Sequence, residues 1–115
     1  MNNQQFFDVT VAHLRKQGGP ATEGAGCAYL ARDGKKCAIG CHIPSHVYKR
    51  ELEEKSAATL MAYFPEVAKI FEGVGSALID EMQKTHDNIR PPHWEAHFED
   101  TARRFSLTLA EKEPA

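Results

Sequence analysis

All three cysteines of the 115-residue chain, and two of its six histidines, fall in the stretch CAYLARDGKKCAIGCHIPSH, from Cys27 to His46. Two short runs of strand-forming residues, 27–31 and 37–43, flank the turn-prone segment 32–36. The Asp-Gly step inside that segment suits a hairpin, because glycine accepts the positive φ that such turns require. The stretch therefore predicts one β-hairpin. Because two strands alone are marginally stable, helices elsewhere in the chain have to cover it.

Helical periodicity predicts the elements around this hairpin. Helices are predicted over residues 3–17, 57–64, 65–85 and 92–106. Gly18 ends the first of them, Ser56 caps the second, and Pro65 separates the second from the third. Gly73 and Gly75 are costly inside a helix, so the third either packs closely there or breaks into two. The predicted fold class is α+β: an N-terminal helix, one β-hairpin, then three or four packed helices.

The composition is that of an ordinary globular domain. Apolar residues make up 42% of the chain and charged residues 26%, which favours one domain over residues 1–110 with a frayed tail at 111–115. No run approaches the ~18 apolar residues of a membrane span, and the first residues lack the features of a secretory signal. We therefore expect a cytoplasmic protein with no membrane partner, in which an odd number of cysteines stays reduced.

Charge is distributed unevenly along the chain. Residues 1–50 carry a net charge of +4 and residues 51–115 a net charge of −6. Such an asymmetry either marks a side that meets anions or is neutralised when the two halves pack together. With an overall charge of −2, the chain is not basic enough to bind duplex nucleic acid through many phosphate contacts.

The cysteine-rich stretch contains residue types that bind zinc, which prefers four ligands in a tetrahedron. The candidates are Cys27, Cys37, Cys41, His42 and His46. Their spacing lacks the Cys-x2-Cys pair that is typical of zinc sites, and Cys37 and Cys41 would lie ~13 Å apart along a straight strand. We therefore predict no metal or other cofactor. Small buried cysteines are common in cores, and we expect Cys27, Cys37, Gly40, Pro44 and Trp94 to be structural.

No catalytic motif of high specificity is present. His86-Asp87 ends a predicted helix, where the histidine suits the carbonyl end; the same pair also occurs in some metal phosphohydrolases, which need further ligands. A cysteine nucleophile would need an activating base, and adjacent Cys41 and His42 on a strand would point to opposite faces. No catalytic residues are predicted.

Cations and aromatic rings are interleaved around the predicted turn. They are Tyr29, Arg32, Lys35, Lys36 and Tyr48. Arginine and lysine bind phosphate, and tyrosine stacks on a base, so this combination favours a small anionic, nucleotide-like ligand. His86 and Asp87 are expected to be hydrogen-bonding partners of that ligand.

The whole chain resembles a family of small, mostly uncharacterised proteins of bacteriophages and prophages. The matching elements are Cys27-x-Tyr29, Gly34, Cys37-Ala38-Ile39-Gly40, Ile43-Pro44, Tyr48, Met82-Gln83-x-x-His86-Asp87 and Trp94. The chain has Leu30 where the family often has arginine, and Ser45-His46 where the family tends to be acidic.

The resemblance implies a phage accessory protein that acts in the cytoplasm of a bacterial host. We expect a homo-oligomer that binds the nucleotide-like ligand and sequesters a host defence signal. Two alternatives remain open at this point. One is an inhibitor or adaptor that binds a host enzyme through acidic residues such as Glu51, Glu53 and Glu54. The other is a small hydrolase that uses His86 and Asp87 or a cysteine.

Overall fold

A computed structural model describes residues 1–23 and 26–112 of the chain. Most of these residues belong to helices, which enclose the main hydrophobic core. Ala21, Ala28 and Ala31 form a small separate cluster. The α-helices are α1 (Asn3–Gln17), α2 (Ala57–Tyr63), α3 (Pro65–Ile70), α4 (Ser76–Asn88) and α5 (Trp94–Arg104). Short 3-10 turns occur at Gly40–His42, Arg50–Leu52 and Pro91–His93. The radius of gyration of 13.5 Å is that of a compact domain of this length.

Local sequence signals explain where α1 and α2 begin and end. The side chain of Asn2 accepts from the backbone N–H of Gln5, and the side chain of Gln5 accepts from that of Asn2, which is a capping box. Gly18 ends α1 with a φ of 77°, a value that glycine adopts without strain. Ser56 caps α2 by accepting from the backbone N–H of Thr59. The predictions for both helices are confirmed.

The helix predicted over residues 65–85 is broken at its glycines. It forms α3 and α4, and residues 71–75 separate the two. Gly73 has a φ of 91°, which a helix does not allow. The backbone N–H of Gly75 donates to Asn3 Oδ1 at 2.8 Å, so the start of α4 is attached to the start of α1. Both interpretations of these glycines hold: the helix breaks, and Gly73 also packs closely, since a Cβ there would lie 2.6 Å from the Met1 carbonyl oxygen.

The predicted β-hairpin is not formed, and the α+β fold class is therefore wrong. The turn itself exists: the backbone N–H of Gly34 donates to the carbonyl of Ala31 at 2.9 Å, and one bridge joins Leu30 to Lys36. The chain then folds into the turn Gly40–His42 instead of continuing as a strand. Within the described residues, extended pairing is limited to Thr22–Glu23 with Gly26–Cys27. The fold is compact and all-helical.

A close approach between two backbone segments explains why the second strand fails. Gly40 packs on the backbone of Tyr29, where any Cβ would overlap the Tyr29 carbonyl group. The Cys37 carbonyl accepts from the N–H of Cys41 at 3.1 Å, and the Cys37 sulfur accepts from that of Gly40 at 3.3 Å. These local bonds take the place of the ladder that a hairpin would need.

The core is assembled from α1, the turn around Ile39, and helices α2 to α5. Its fully enclosed members include Phe6, Phe7, Leu14, Ile39, Leu60, Leu78, Met82 and Phe98. Among residues 1–23 and 26–112, no helix is long and apolar enough to cross a membrane. Of the tail predicted to be frayed, residues 113–115 lie outside the described part of the chain.

Candidate functional site

A cavity of about 380 Å³ lies between one face of α4 and two loop segments. The first segment, 27–29, follows α1, and the second, 54–57, leads into α2. Helix α4 contributes Asp80, Gln83, Lys84, Asp87 and Asn88, a spacing that places all five side chains on one helix face. This volume is within the range of small-molecule sites in proteins.

Residues from two separate sequence motifs meet at this cavity. Cys27 and Tyr29 of the Cys-x-Tyr element line it together with Gln83 and Asp87 of the Gln-x-x-His-Asp element. His86 lies directly behind Asp87, and its side chain is fully buried. The fold thus brings together elements that are far apart in the sequence.

Hydrogen bonds fix the orientation and the tautomer of His86. Its Nε2 accepts from the backbone N–H of Ala21 at 2.8 Å, so this nitrogen carries no proton. The proton of the neutral ring is therefore on Nδ1, which donates to Asp87 Oδ1 at 2.6 Å. Both ring nitrogens of His86 are therefore engaged in hydrogen bonds within the protein, and one of these bonds orients the Asp87 carboxylate.

The thiol of Cys27 lies near the Asp87 carboxylate, at the rim of the cavity. Burial and this carboxylate raise the pKa of Cys27 to about 11. The ligand atoms of Cys27, His86 and Asp87 lie within 4.8 Å of one another, a grouping that suits a metal ion. To bind one, however, His86 would have to give up its bond to Asp87 or its bond to Ala21. The described arrangement is a hydrogen-bond network around Asp87.

Tyr29 and Tyr48 are linked through Glu53. The Glu53 carboxylate accepts from the backbone N–H of Tyr29 at 2.9 Å, from that of Leu30 at 3.1 Å, and from the Tyr48 hydroxyl at 2.6 Å. Tyr29 is only 7% exposed, its hydroxyl donates to the Lys55 carbonyl, and burial raises its pKa. Tyr29 therefore forms part of the cavity wall, and the Glu53 carboxylate is engaged inside the protein.

The cations predicted to bind phosphate lie elsewhere. Arg32, Lys35 and Lys36 are not among the residues that line the cavity, and the Lys36 carbonyl accepts from the side chains of His13 and Gln17. The residues with ionisable charges that do line it are Glu54, Lys55, Asp80, Lys84 and Asp87. Three carboxylates thus face two ammonium groups. The Lys55 ammonium donates to the Glu51 carbonyl, which leaves Lys84 as the cation best placed for a ligand.

The residues expected to be structural separate into two groups. Cys37, Gly40 and Trp94 are buried, whereas Cys27 and Pro44 lie at the surface. Burial raises the pKa of Cys37 to about 11 and that of Cys41 to about 12.

Several lining residues were not singled out from the sequence, notably Asp80, Lys84 and Asn88 of α4. The available signal was the polar stripe of α4 opposite its apolar stripe of Leu78, Ile79 and Met82. A polar stripe is typical of any surface helix, so the pattern gave no reason to select these residues.

Compared with models of protein families, with curated proteins and with solved structures, the chain has no match.

Proposed function

We propose that the protein binds a small nucleotide-like ligand in the cavity between α4 and segments 27–29 and 54–57. The observation that carries this proposal is the meeting of Cys27, Tyr29, Gln83 and Asp87 around one cavity. Its lining combines an aromatic wall, amide and carboxylate groups, and two lysines of which Lys84 is the better placed for a ligand. These groups suit a base, a sugar and a phosphate respectively.

The charge of the lining restricts the ligand further. With three carboxylates and two ammonium groups around it, the cavity does not favour several phosphates at once. A single phosphate beside Lys84 fits this balance. The nucleotide-like class expected from the sequence is thus kept, but with Lys84 in place of Arg32, Lys35 and Lys36 as the phosphate-binding cation.

The chemistry of the site supports binding without turnover. A cysteine nucleophile acts as a thiolate, usually with a pKa well below that of free cysteine, whereas the pKa of Cys27 is raised to about 11. His86 uses one nitrogen for Ala21 and the other for Asp87, so it has no free nitrogen with which to take a proton from a substrate. For a phage-type accessory protein, such binding would sequester a host signalling nucleotide.

The test compares two alanines of helix α2. Ala57 lines the cavity, while Ala58, one residue further, is exposed. Isothermal titration with the four ribonucleoside 5′-monophosphates should give a saturable signal for at least one of them. Ala57→Leu should abolish that signal because the larger side chain obstructs part of the cavity, and Ala58→Leu should leave it unchanged. Both sites are solvent-accessible, so both variants should fold, which circular dichroism checks.

Three results would contradict parts of the proposal. Binding that survives Ala57→Leu would place the ligand elsewhere on the protein. A lack of binding to all four nucleotides would overturn the nucleotide-like class. Release of phosphate or nucleoside after incubation, measured by chromatography, would favour the hydrolase alternative, since a sequestering protein returns its ligand unchanged.

A further inference from the structure

Asp87 combines two properties that no other carboxylate lining the cavity is shown to have. It is held from within the protein by the Nδ1–H of His86 at 2.6 Å, and its side chain remains 30% exposed. Asp80 and Glu54, which also line the cavity, are exposed residues. A carboxylate that is both fixed and accessible is preorganised to accept hydrogen bonds from a ligand.

Two successive hydrogen bonds connect the Asp87 carboxylate to the interior of the protein. The backbone N–H of Ala21 sets the tautomer of His86, and His86 in turn donates to Asp87. Because the His86 side chain is fully buried, water does not reach the donor of its bond to Asp87, and this bond holds the carboxylate in one orientation.

An ionised carboxylate only accepts hydrogen bonds, and its two oxygens accept from two neighbouring donors. In a nucleotide, the adjacent 2′- and 3′-hydroxyls of ribose form such a pair, and acidic side chains bind ribose hydroxyls in dinucleotide sites. Lys84 precedes Asp87 by three residues, so their Cβ atoms lie ~5–6 Å apart on one face of α4. This spacing lets one face of the helix contact both the phosphate and the sugar of one small nucleotide.

We propose that Asp87 accepts hydrogen bonds from the paired hydroxyls of a ribose, so that the cavity selects ribonucleotides over 2′-deoxyribonucleotides. This inference rests on the nucleotide-like ligand proposed above. It adds a sugar specificity and assigns it to one residue. His86 is then a positioning residue for Asp87.

The test is a titration of the wild-type protein with the best-bound ribonucleoside monophosphate and with its 2′-deoxy counterpart. Loss of one hydrogen bond to a charged group should weaken binding of the deoxy ligand about ten- to a hundredfold. Asp87→Asn should bind both ligands with similar, weak affinity, because an amide oxygen replaces the two-oxygen acceptor. Asp8→Asn, at an exposed aspartate of α1 that does not line the cavity, is the matched control and should keep the preference.

Each outcome bears on a different claim. Equal binding of the two sugars by the wild-type protein overturns the inference and leaves the proposed function intact, and this comparison needs no variant. A sugar preference that persists in Asp87→Asn overturns the assignment to Asp87. If neither ligand binds to the wild-type protein, the proposed function fails and the inference fails with it.

Discussion

His42 is partly buried and packs against side chains of the core. Its ring stacks on Phe6 with the centroids 4.7 Å apart, and its Nε2 lies 2.7 Å from the Thr10 hydroxyl. Because the Thr10 hydroxyl donates its proton to the Phe6 carbonyl, His42 donates to Thr10. Burial, with a smaller contribution from His13, lowers the pKa of His42 to about 4.

The protein should therefore lose stability in mild acid. The unfolded chain takes up a proton on His42 below a pH of about 6.5, while the folded protein resists protonation until a pH of about 4. Acid thus favours the unfolded state, and stability falls as the pH decreases between these two values. At pH 5 the loss that His42 causes should be about 2 kcal/mol relative to pH 7. Urea unfolding at the two pH values measures it.

Two histidine variants separate this effect from general acid sensitivity. His42→Gln should largely remove the difference between pH 7 and pH 5, whereas His46→Gln should retain it, because His46 is exposed. If His42→Gln loses as much stability in acid as the wild-type protein, His42 is not the cause.

Two side chains of α1 attach the C-terminal segment that follows α5. Arg15 donates to the Ala110 carbonyl at 2.9 Å, and Gln4 bonds to Thr108. The amide of Gln4 donates to the Thr108 carbonyl at 2.8 Å and accepts from the Thr108 N–H at 2.9 Å. Gln4→Ala removes both bonds and should lower the free energy of unfolding by about 1 to 2 kcal/mol. It should also accelerate hydrogen exchange at the Thr108 amide. Asp8→Ala is the control, since it removes only the contact between Asp8 and Gln4. If Asp8→Ala lowers the free energy of unfolding as much as Gln4→Ala does, the attachment to Thr108 contributes little.

Elements whose boundaries are decided locally were predictable. The capping residues Asn2 and Ser56 and the terminating Gly18 lie within a few positions of the bonds they make. The segment 37–43 was not predictable, because a short apolar run fits a strand and a buried turn equally well. The choice between them is made by the packing of Gly40 on Tyr29, a contact that the sequence alone does not reveal.

At the scale of the whole molecule, all five α-helices contribute to one hydrophobic core. Trp94, the only tryptophan, is 4% exposed and donates to the Ile89 carbonyl at 2.8 Å. Its fluorescence therefore reports on the end of the core near α5, whereas far-ultraviolet circular dichroism reports on all the helices. Both signals should show the same unfolding midpoint in urea, as for a single cooperative domain. Two distinct midpoints would divide residues 1–110 into separately unfolding parts.

The candidate site was only partly predictable at this scale. Tyr29, His86 and Asp87 were selected from their residue types and motifs, and the fold places them together. The cations Arg32, Lys35 and Lys36 were selected because they neighbour Tyr29 in the sequence. Proximity in sequence and proximity in the fold differ here, because the cavity is closed by α4, whose position depends on the packing of the whole core.

The raised pKa values of the three thiols have a consequence for the rate at which the protein forms disulfides. With pKa values of about 11, 11 and 12, each cysteine is ionised in fewer than roughly one molecule in a thousand at pH 7. Disulfide exchange proceeds through the thiolate. We therefore expect the protein's thiols to exchange with oxidised glutathione more slowly than cysteines of ordinary pKa do, which mass spectrometry of the incubated protein measures.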